Sequence, residues 1–358
     1  MNWPFFHRKS EIPFPSVTRL VAESGEVGRE DDRVYRMRSM IFLMRRVQQV
    51  SGDNDALEAD RLDIMSKLKI AYDSCSEDDI ELCQLFIHSV MSLARFLGFR
   101  NELDERVRWG KAALEIAELI QDQLAITELC ASTISWPLLQ QGKGEEAERY
   151  SLRGLEAARR CDDPMVAAKW AGNAARTLSG VARDRNDGET AYYWAGQVAE
   201  YAASCKDPLL IRGAELDFGY AALLRGDFLE AENRFQALAT FEDSKEAMDI
   251  ERIANRNGDV ALAIMNQAIR ATDDAERVRL CLRARAIWER CRELGEEINH
   301  RVVVAEAEGG LAMVARELGD ADEYERLIAS CHRRFAELGI SRGSRAEQFI
   351  AFPAAKKE

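Results

Sequence analysis

Apolar residues recur every three or four positions along most of the chain, the spacing that gathers them on one face of an α-helix. Val34, Met37, Ile41, Met44 and Val47 predict a first helix from Asp31 to a stop at Ser51-Gly52-Asp53-Asn54. Leu57, Leu62, Met65, Leu68 and Ala71 predict a second over about 55–74. The pattern continues over about 79–98, 103–121, 123–141, 145–161, 164–184, 188–205, 209–225, 228–241, 246–271, 274–294, 299–318 and 321–338. Turn-forming residues separate these segments at Gly98-Phe99-Arg100-Asn101, Gly142-Lys143-Gly144, Asn186-Asp187-Gly188 and Gly226-Asp227. Gly295, Gly319 and Gly339 each follow Glu-Leu and are expected as C-terminal caps. Between residues 16 and 352 the only prolines are Pro137, Pro164 and Pro208, and the last two stand where a helix would begin, the tolerated position.

One stretch occurs twice. Ala147-Glu148-Arg149-Tyr150 runs through Glu156 and Ala158 to Cys161-Asp162-Asp163-Pro164. At an offset of 44 residues, Ala191-Tyr192-Tyr193-Trp194 runs through Glu200 and Ala202 to Cys205-Lys206-Asp207-Pro208. A fixed period of this size marks stacked helical hairpins, each too small to bury its apolar face alone. Paired in order, the predicted helices make about seven hairpins over 29–340, after an extended arm at 1–28 rich in proline and before a tail at 341–358.

The hairpin unit resembles the tetratricopeptide repeat (TPR). The likeness is clearest in 212–238, where Gly219, Gly226-Asp227-Phe228, Ala231 and Phe235 stand at the spacings of that family's small and aromatic positions. Residues 128–155 keep Gly142, Ala147 and Leu155, residues 172–199 keep Ala191 and Val198, and the last unit keeps Gly319-Asp320. Residues 246–295 depart from the pattern, with Gly258-Asp259 inside an expected helix and Arg279 at a usually small position. The resemblance implies an all-α fold, a right-handed α-α superhelix or TPR-like solenoid. Ala113-Leu114-Glu115-Ile116-Ala117 and the repeated Glu-Leu-Gly stops are also similar to the sensor arrays of bacterial signal-transduction regulators, although no GxxxxGK[ST] phosphate loop is present.

Composition narrows the class of function. The 358 residues carry 49 basic and 62 acidic side chains, a net charge of −13, so the average surface field repels nucleic acid and anionic lipid. No uninterrupted run of about 18 apolar residues marks a membrane span, and Pro4, His7, Arg8 and Lys9 break any secretory leader. The eight cysteines contain no CxxC pair and fall among helical apolar positions, as reduced core thiols of a cytoplasmic protein would.

Catalytic and metal signatures are sparse. Gly142-Lys143-Gly144-Glu145-Glu146-Ala147 fits GxGxxA, but a helix precedes it where a dinucleotide site needs a strand. Glu297-Ile298-Asn299-His300 supplies one ExxH, whereas a di-metal bundle needs two and further carboxylates. Arg33, Arg36, Arg38, Arg45 and Arg46 crowd the first helix beside Tyr35 and Phe42, with Asp31 and Asp32 before them. No nucleophile elbow, zincin motif or Cys/His pair appears, so the expectation is a protein without enzymatic activity, cofactor or metal.

In the TPR class the first helix of each hairpin lines a concave groove. Carried onto this sequence, that places Trp136, Asn173, Arg176, Arg183 and Tyr220 near a binding surface. Asn173 would pair with a backbone amide, Arg176 and Arg183 with carboxylates, and Trp136 and Tyr220 would anchor apolar groups. The implied function is a scaffold that binds a peptide or protein segment. The alternative is a sensor for a small anionic ligand or signalling peptide.

Overall fold

The structure is a computed structural model that describes residues 61–99, 102–242, 250–297 and 299–338, together with Val34, Tyr35, Arg38 and Ile41, which are helical. The expected arm at 1–28, the tail at 341–358 and most of the first predicted helix lie outside these residues. The chain forms two compact units, Met1–Thr177 and Leu178–Glu358. All regular structure among the described residues is helical.

The first unit holds α1 (Arg61–Tyr72), α2 (Ile80–Phe99), α3 (Leu103–Leu119), α4 (Gln123–Glu128), a π-helical turn (Leu129–Ile134), α5 (Ser135–Gln140), α6 (Gly144–Ala158) and most of α7 (Pro164–Asp184). Its core is built on Leu68, Leu82, Phe86, Ile87 and Leu93, all essentially inaccessible. One expectation needs correction here, since Ile80–Gly98 is long and apolar enough to cross a membrane by length and composition. Its side chains explain the composition differently: Leu82, Cys83, Phe86, Ile87, Val90 and Leu93 are buried against neighbouring helices, which is how a core helix becomes uniformly apolar.

The second unit begins inside α7 and continues with α8 (Gly188–Cys205), α9 (Pro208–Arg225), α10 (Phe228–Glu242), α11 (Ile250–Arg270), α12 (Asp274–Glu297), α13 (Arg301–Glu317) and α14 (Ala321–Glu337). Its main cluster joins Phe235, Trp288 and Phe335 with Ala261, Met265, Ala312 and Cys331. Gly219 shows why the repeat wants a small residue there: a Cβ would stand 2.3 Å from the ring of Phe235. Ala182, Ala191 and Ala221 meet in a second cluster, so α7, α8 and α9 pack at alanine contacts.

The duplicated Asp-Pro has a local cause. Asp163 Oδ1 accepts from the N–H groups of Met165 and Val166 at 3.0 and 3.1 Å, and Asp207 Oδ1 from Leu209 and Leu210 at 2.9 and 3.2 Å. Each aspartate thus caps the helix whose first residue is the proline, which has no N–H to satisfy. At the other ends, Gly142, Gly226 and Gly319 take φ of 72°, 83° and 79°.

The helix expected over about 246–271 forms as α11, with Gly258 and Asp259 buried in its middle and Asp259 held there by partners described below. Gly295 is not a C-terminal cap but lies inside α12, where a Cβ would be 2.9 Å from Val303. The glycine serves close packing against α13, and Asn299 adopts the left-handed conformation instead, with φ 53°. Arg279, at the usually small position, is exposed and clasps Glu276 through two hydrogen bonds of 2.6 and 2.7 Å.

Candidate functional site

In the first unit, the first helix of its hairpin is the run α4, π turn, α5. Pro137 explains the irregularity: it has no N–H to donate, and its ring crowds the carbonyl one turn back, so the backbone widens upstream. The N–H of Ser135 then reaches the carbonyl of Cys130, five residues back. Side chains satisfy nearby carbonyls. Ser132 Oγ donates to Glu128 O at 2.8 Å, Ser135 Oγ to Ala131 O at 3.1 Å, and Arg106 Nη2 to Ser132 O at 2.6 Å. Burial of Arg106 pulls its pKa down to about 10.

Along this run, Glu128, Ser132 and Trp136 stand four residues apart and are half-buried, while Leu129, Cys130, Thr133 and Ile134 beside them are buried. This is the pattern of a face that opens on solvent from within a packed layer. Glu128 is unusual on it: burial raises its carboxyl to about 7, opposed by the charge of Lys169 and reinforced by that of Asp122. Lys169 lies on α7 with its Nζ 5.2 Å from the Trp170 ring centroid.

Asn173 and Arg176 also belong to this unit, at i and i+3 on α7. Arg176 is half-buried, but Asn173 is only 6% exposed, which corrects the expectation of a solvated amide. Its Nδ2 donates to the Lys169 carbonyl at 3.2 Å, and its buried Oδ1 has no hydrogen-bond partner among the described residues. The structure therefore assembles Glu128, Ser132 and Trp136 on one helix and Lys169, Asn173 and Arg176 on the first helix of the next hairpin. Glu128 and Lys169 were missed in the sequence; the four-residue spacing of Glu128, Ser132 and Trp136 was the available signal.

Arg183 and Tyr220 belong to the second unit, and they meet each other. The Arg183 guanidinium lies over the Tyr220 ring, 4.2 Å from its centroid, and its Nη1 is 3.9 Å from Asp217 Oδ1. The Tyr220 hydroxyl donates to Asp259 Oδ1 at 2.8 Å, and Arg256 Nη1 pairs with Asp259 Oδ2 at 2.9 Å. Asp217 and Asp259 are 3% and 1% exposed, so these guanidinium and hydroxyl contacts are what make such burial tolerable. The network links α7, α9 and α11, the first helices of three consecutive hairpins.

The other candidate chemistry resolves into structure. His300 Nδ1 accepts from the N–H of Val303 at 3.3 Å, so this histidine caps α13. No cluster of three or more His, Cys, Asp or Glu side chains able to hold a metal occurs among the described residues. All eight cysteines are free, and burial raises the pKa of the Cys130 and Cys331 thiols to about 12.

No protein-family model matches the sequence, and no curated protein matches it significantly. Solved structures do match the fold. The apo form of RapI is similar at 12% identity and a TM-score of 0.53, covering 86% of this chain and 98% of that one. A Rap protein complexed with competence and sporulation factor is similar at 13% identity and a TM-score of 0.50, covering 89% and 96%. A signal-transduction ATPase with a tetratricopeptide repeat sensor, from Pyrococcus horikoshii, is similar at 13% identity and a TM-score of 0.54, covering 93% of this chain and 54% of that one. The chain thus has a TPR-like helical-repeat fold.

Proposed function

We propose that this chain is a noncatalytic interaction protein that binds a peptide or protein segment along the first helices of its hairpins. The observation that carries this reading is the half-buried face of the first unit, where an aromatic ring at Trp136, a carboxyl at Glu128 and the cations Lys169 and Arg176 share two consecutive first helices. An extended segment offers that mixture an apolar side chain, main-chain amides and charges of either sign. Support of a second kind comes from the Rap protein of similar fold, which was solved in complex with competence and sporulation factor. Arg183 and Tyr220 enter the proposal in a changed role: they hold α9 against its neighbours, so they would shape a binding face before touching a ligand.

Affinity capture with the intact chain and with a Trp136→Ala/Arg176→Glu variant, read by quantitative mass spectrometry, tests the reading. A partner retained by the natural chain and depleted by the folded variant supports it. Equal capture by both rejects this face. A parallel thermal-shift screen of small anionic metabolites addresses the sensor alternative, which requires a ligand that raises the melting temperature of the natural chain.

A further inference from the structure

A second candidate lies in the second unit, where the turn between α9 and α10 and the turn between α11 and α12 flank an open cleft of about 730 Å³. It is lined by residues 226–230 and, from α11 and α12, by Gln267, Arg270, Glu276 and Leu280, with Arg270 exposed to solvent. Gln267 is fixed by hydrogen bonds from its Nε2 to Glu232 Oε2 at 2.6 Å and to the Phe228 carbonyl at 3.4 Å.

The charges of the cleft are unevenly matched. Each acid on its walls faces an arginine elsewhere: Asp227 faces Arg225 at 3.7 Å, Glu230 faces Arg234 at 3.2 Å, and Glu276 faces Arg279 at 2.6 Å. Arg270 has no ion pair or hydrogen bond among the described residues. Its guanidinium is held by other means, stacked 4.6 Å from the Phe228 ring centroid and resting on Gly226, where a Cβ would stand 2.8 Å from Nη1. With φ 83° as well, position 226 requires glycine twice over, once for the turn and once for the arginine. A guanidinium oriented on an aromatic platform keeps its edge for a planar oxyanion.

We propose that this cleft binds a carboxylate carried next to an apolar group, with the carboxylate on Arg270 and the apolar group on Phe228 and Leu229. Leu229 is 64% exposed and offers the apolar surface beside Phe228. The three wall carboxylates disfavour a doubly charged anion, so the site selects a monoanionic carboxylate over phosphate. The site is independent of the interaction face in the first unit, and its failure leaves that reading standing.

The test observes the arginine Nε–H resonances of the full-length protein by NMR, with Arg270 assigned through Arg270→Gln. N-acetyl-leucine should move the Arg270 resonance with millimolar affinity, and N-acetyl-leucine amide and inorganic phosphate at equal concentration should leave it in place. N-acetyl-glutamyl-leucine amide, whose acid is on a side chain, distinguishes an internal acid from a chain terminus by which of the two acids binds more tightly. Arg270→Gln should weaken N-acetyl-leucine binding at least about tenfold, read on the Leu229 and Leu280 methyl groups. An unmoved Arg270 resonance, equal movement by acid and amide, or stronger movement by phosphate overturns the site. Should Arg270→Gln not fold, the conservative Arg270→Lys assigns the resonance in its place, and the ligand comparisons are then made on the natural chain.

Discussion

The Tyr220 hydroxyl donates to Asp259 while the Tyr220 ring carries the Arg183 guanidinium, so one side chain holds together two charges on different helices. Asp259 is buried in the middle of α11, and Tyr220 is one of its two hydrogen-bond donors described above. Tyr220→Phe keeps the ring under Arg183 but removes that donor from a buried carboxylate. The variant should lose about 1–3 kcal/mol of stability in urea denaturation. A loss no larger than the error would mean that Asp259 is satisfied without the Tyr220 hydroxyl.

Ala191 offers a test of the repeat register. Its side chain is inaccessible, packed with Ala182 and Ala221, and its carbonyl accepts from Ser179 Oγ at 3.4 Å. Ala191→Leu adds three carbon atoms at a contact of alanines and should cost roughly 1–3 kcal/mol. The check is thermal unfolding; an unchanged melting temperature would mean that the contact can open without penalty.

The hairpins were legible because their signals are local. Apolar spacing located the helices, and the duplicated Asp-Pro located two starts because the cap and its proline are neighbours in sequence. What was not legible depended on contacts far along the chain. Gly295 reads as a cap after Glu-Leu, but its role is set by Val303 across a turn, and the burial of Asp259 inside α11 rests on the Tyr220 hydroxyl, which stands on another helix. On the candidate face, apolar spacing put Trp136, Asn173 and Arg176 on helices, which is as far as a local signal reaches. The burial of Asn173 and the influence of the Lys169 charge on Glu128 depend on how two hairpins pack.

Glu128 should make stability depend on pH. Burial raises its carboxyl from the usual 4.5 to about 7, so the folded chain holds a proton that the unfolded chain releases. Between about 4.5 and 7 the folded state therefore binds more protons, and this group's contribution to stability falls as pH rises through that window. Glu128→Gln removes the effect. The variant should match the natural chain near pH 4.5 and exceed it by roughly 1–3 kcal/mol near pH 8, measured by denaturant unfolding. A constant difference across that range would contradict the burial argument.

The thiols should separate by accessibility. Cys83, Cys130, Cys281, Cys291 and Cys331 are buried, and Cys75, Cys161 and Cys205 are half-buried. Burial raises Cys75, Cys83, Cys161 and Cys281 as well as Cys130 and Cys331, which leaves them protonated and poorly nucleophilic at neutral pH. An aromatic disulfide reagent should titrate all eight in denaturant without reductant, and no more than the three half-buried thiols quickly in the native protein. Fewer than eight in denaturant would reveal a bridge or a bound metal.

Asn173 and Arg176 carry the sharpest test of the proposed binding face. Asn173 holds its amide by one hydrogen bond to Lys169 O and leaves a buried carbonyl oxygen without a donor. An unsatisfied buried acceptor costs about 1–3 kcal/mol, comparable to what the single bond returns. Asn173→Ala removes both, so it should leave stability nearly unchanged or slightly higher. A segment bound along α7 can supply the missing donor from a main-chain N–H once the amide swings toward the solvent side, while Arg176, one turn along, receives a carboxylate. The double variant Asn173→Ala/Arg176→Ala should then bind a captured partner more weakly by about 1–3 kcal/mol, with the Arg176 share shrinking as salt is added. Calorimetry with the captured segment, alongside unfolding of the same variants, separates the two roles. Weaker binding with undiminished stability assigns Asn173 to recognition; unchanged affinity in a folded variant removes both residues from the site.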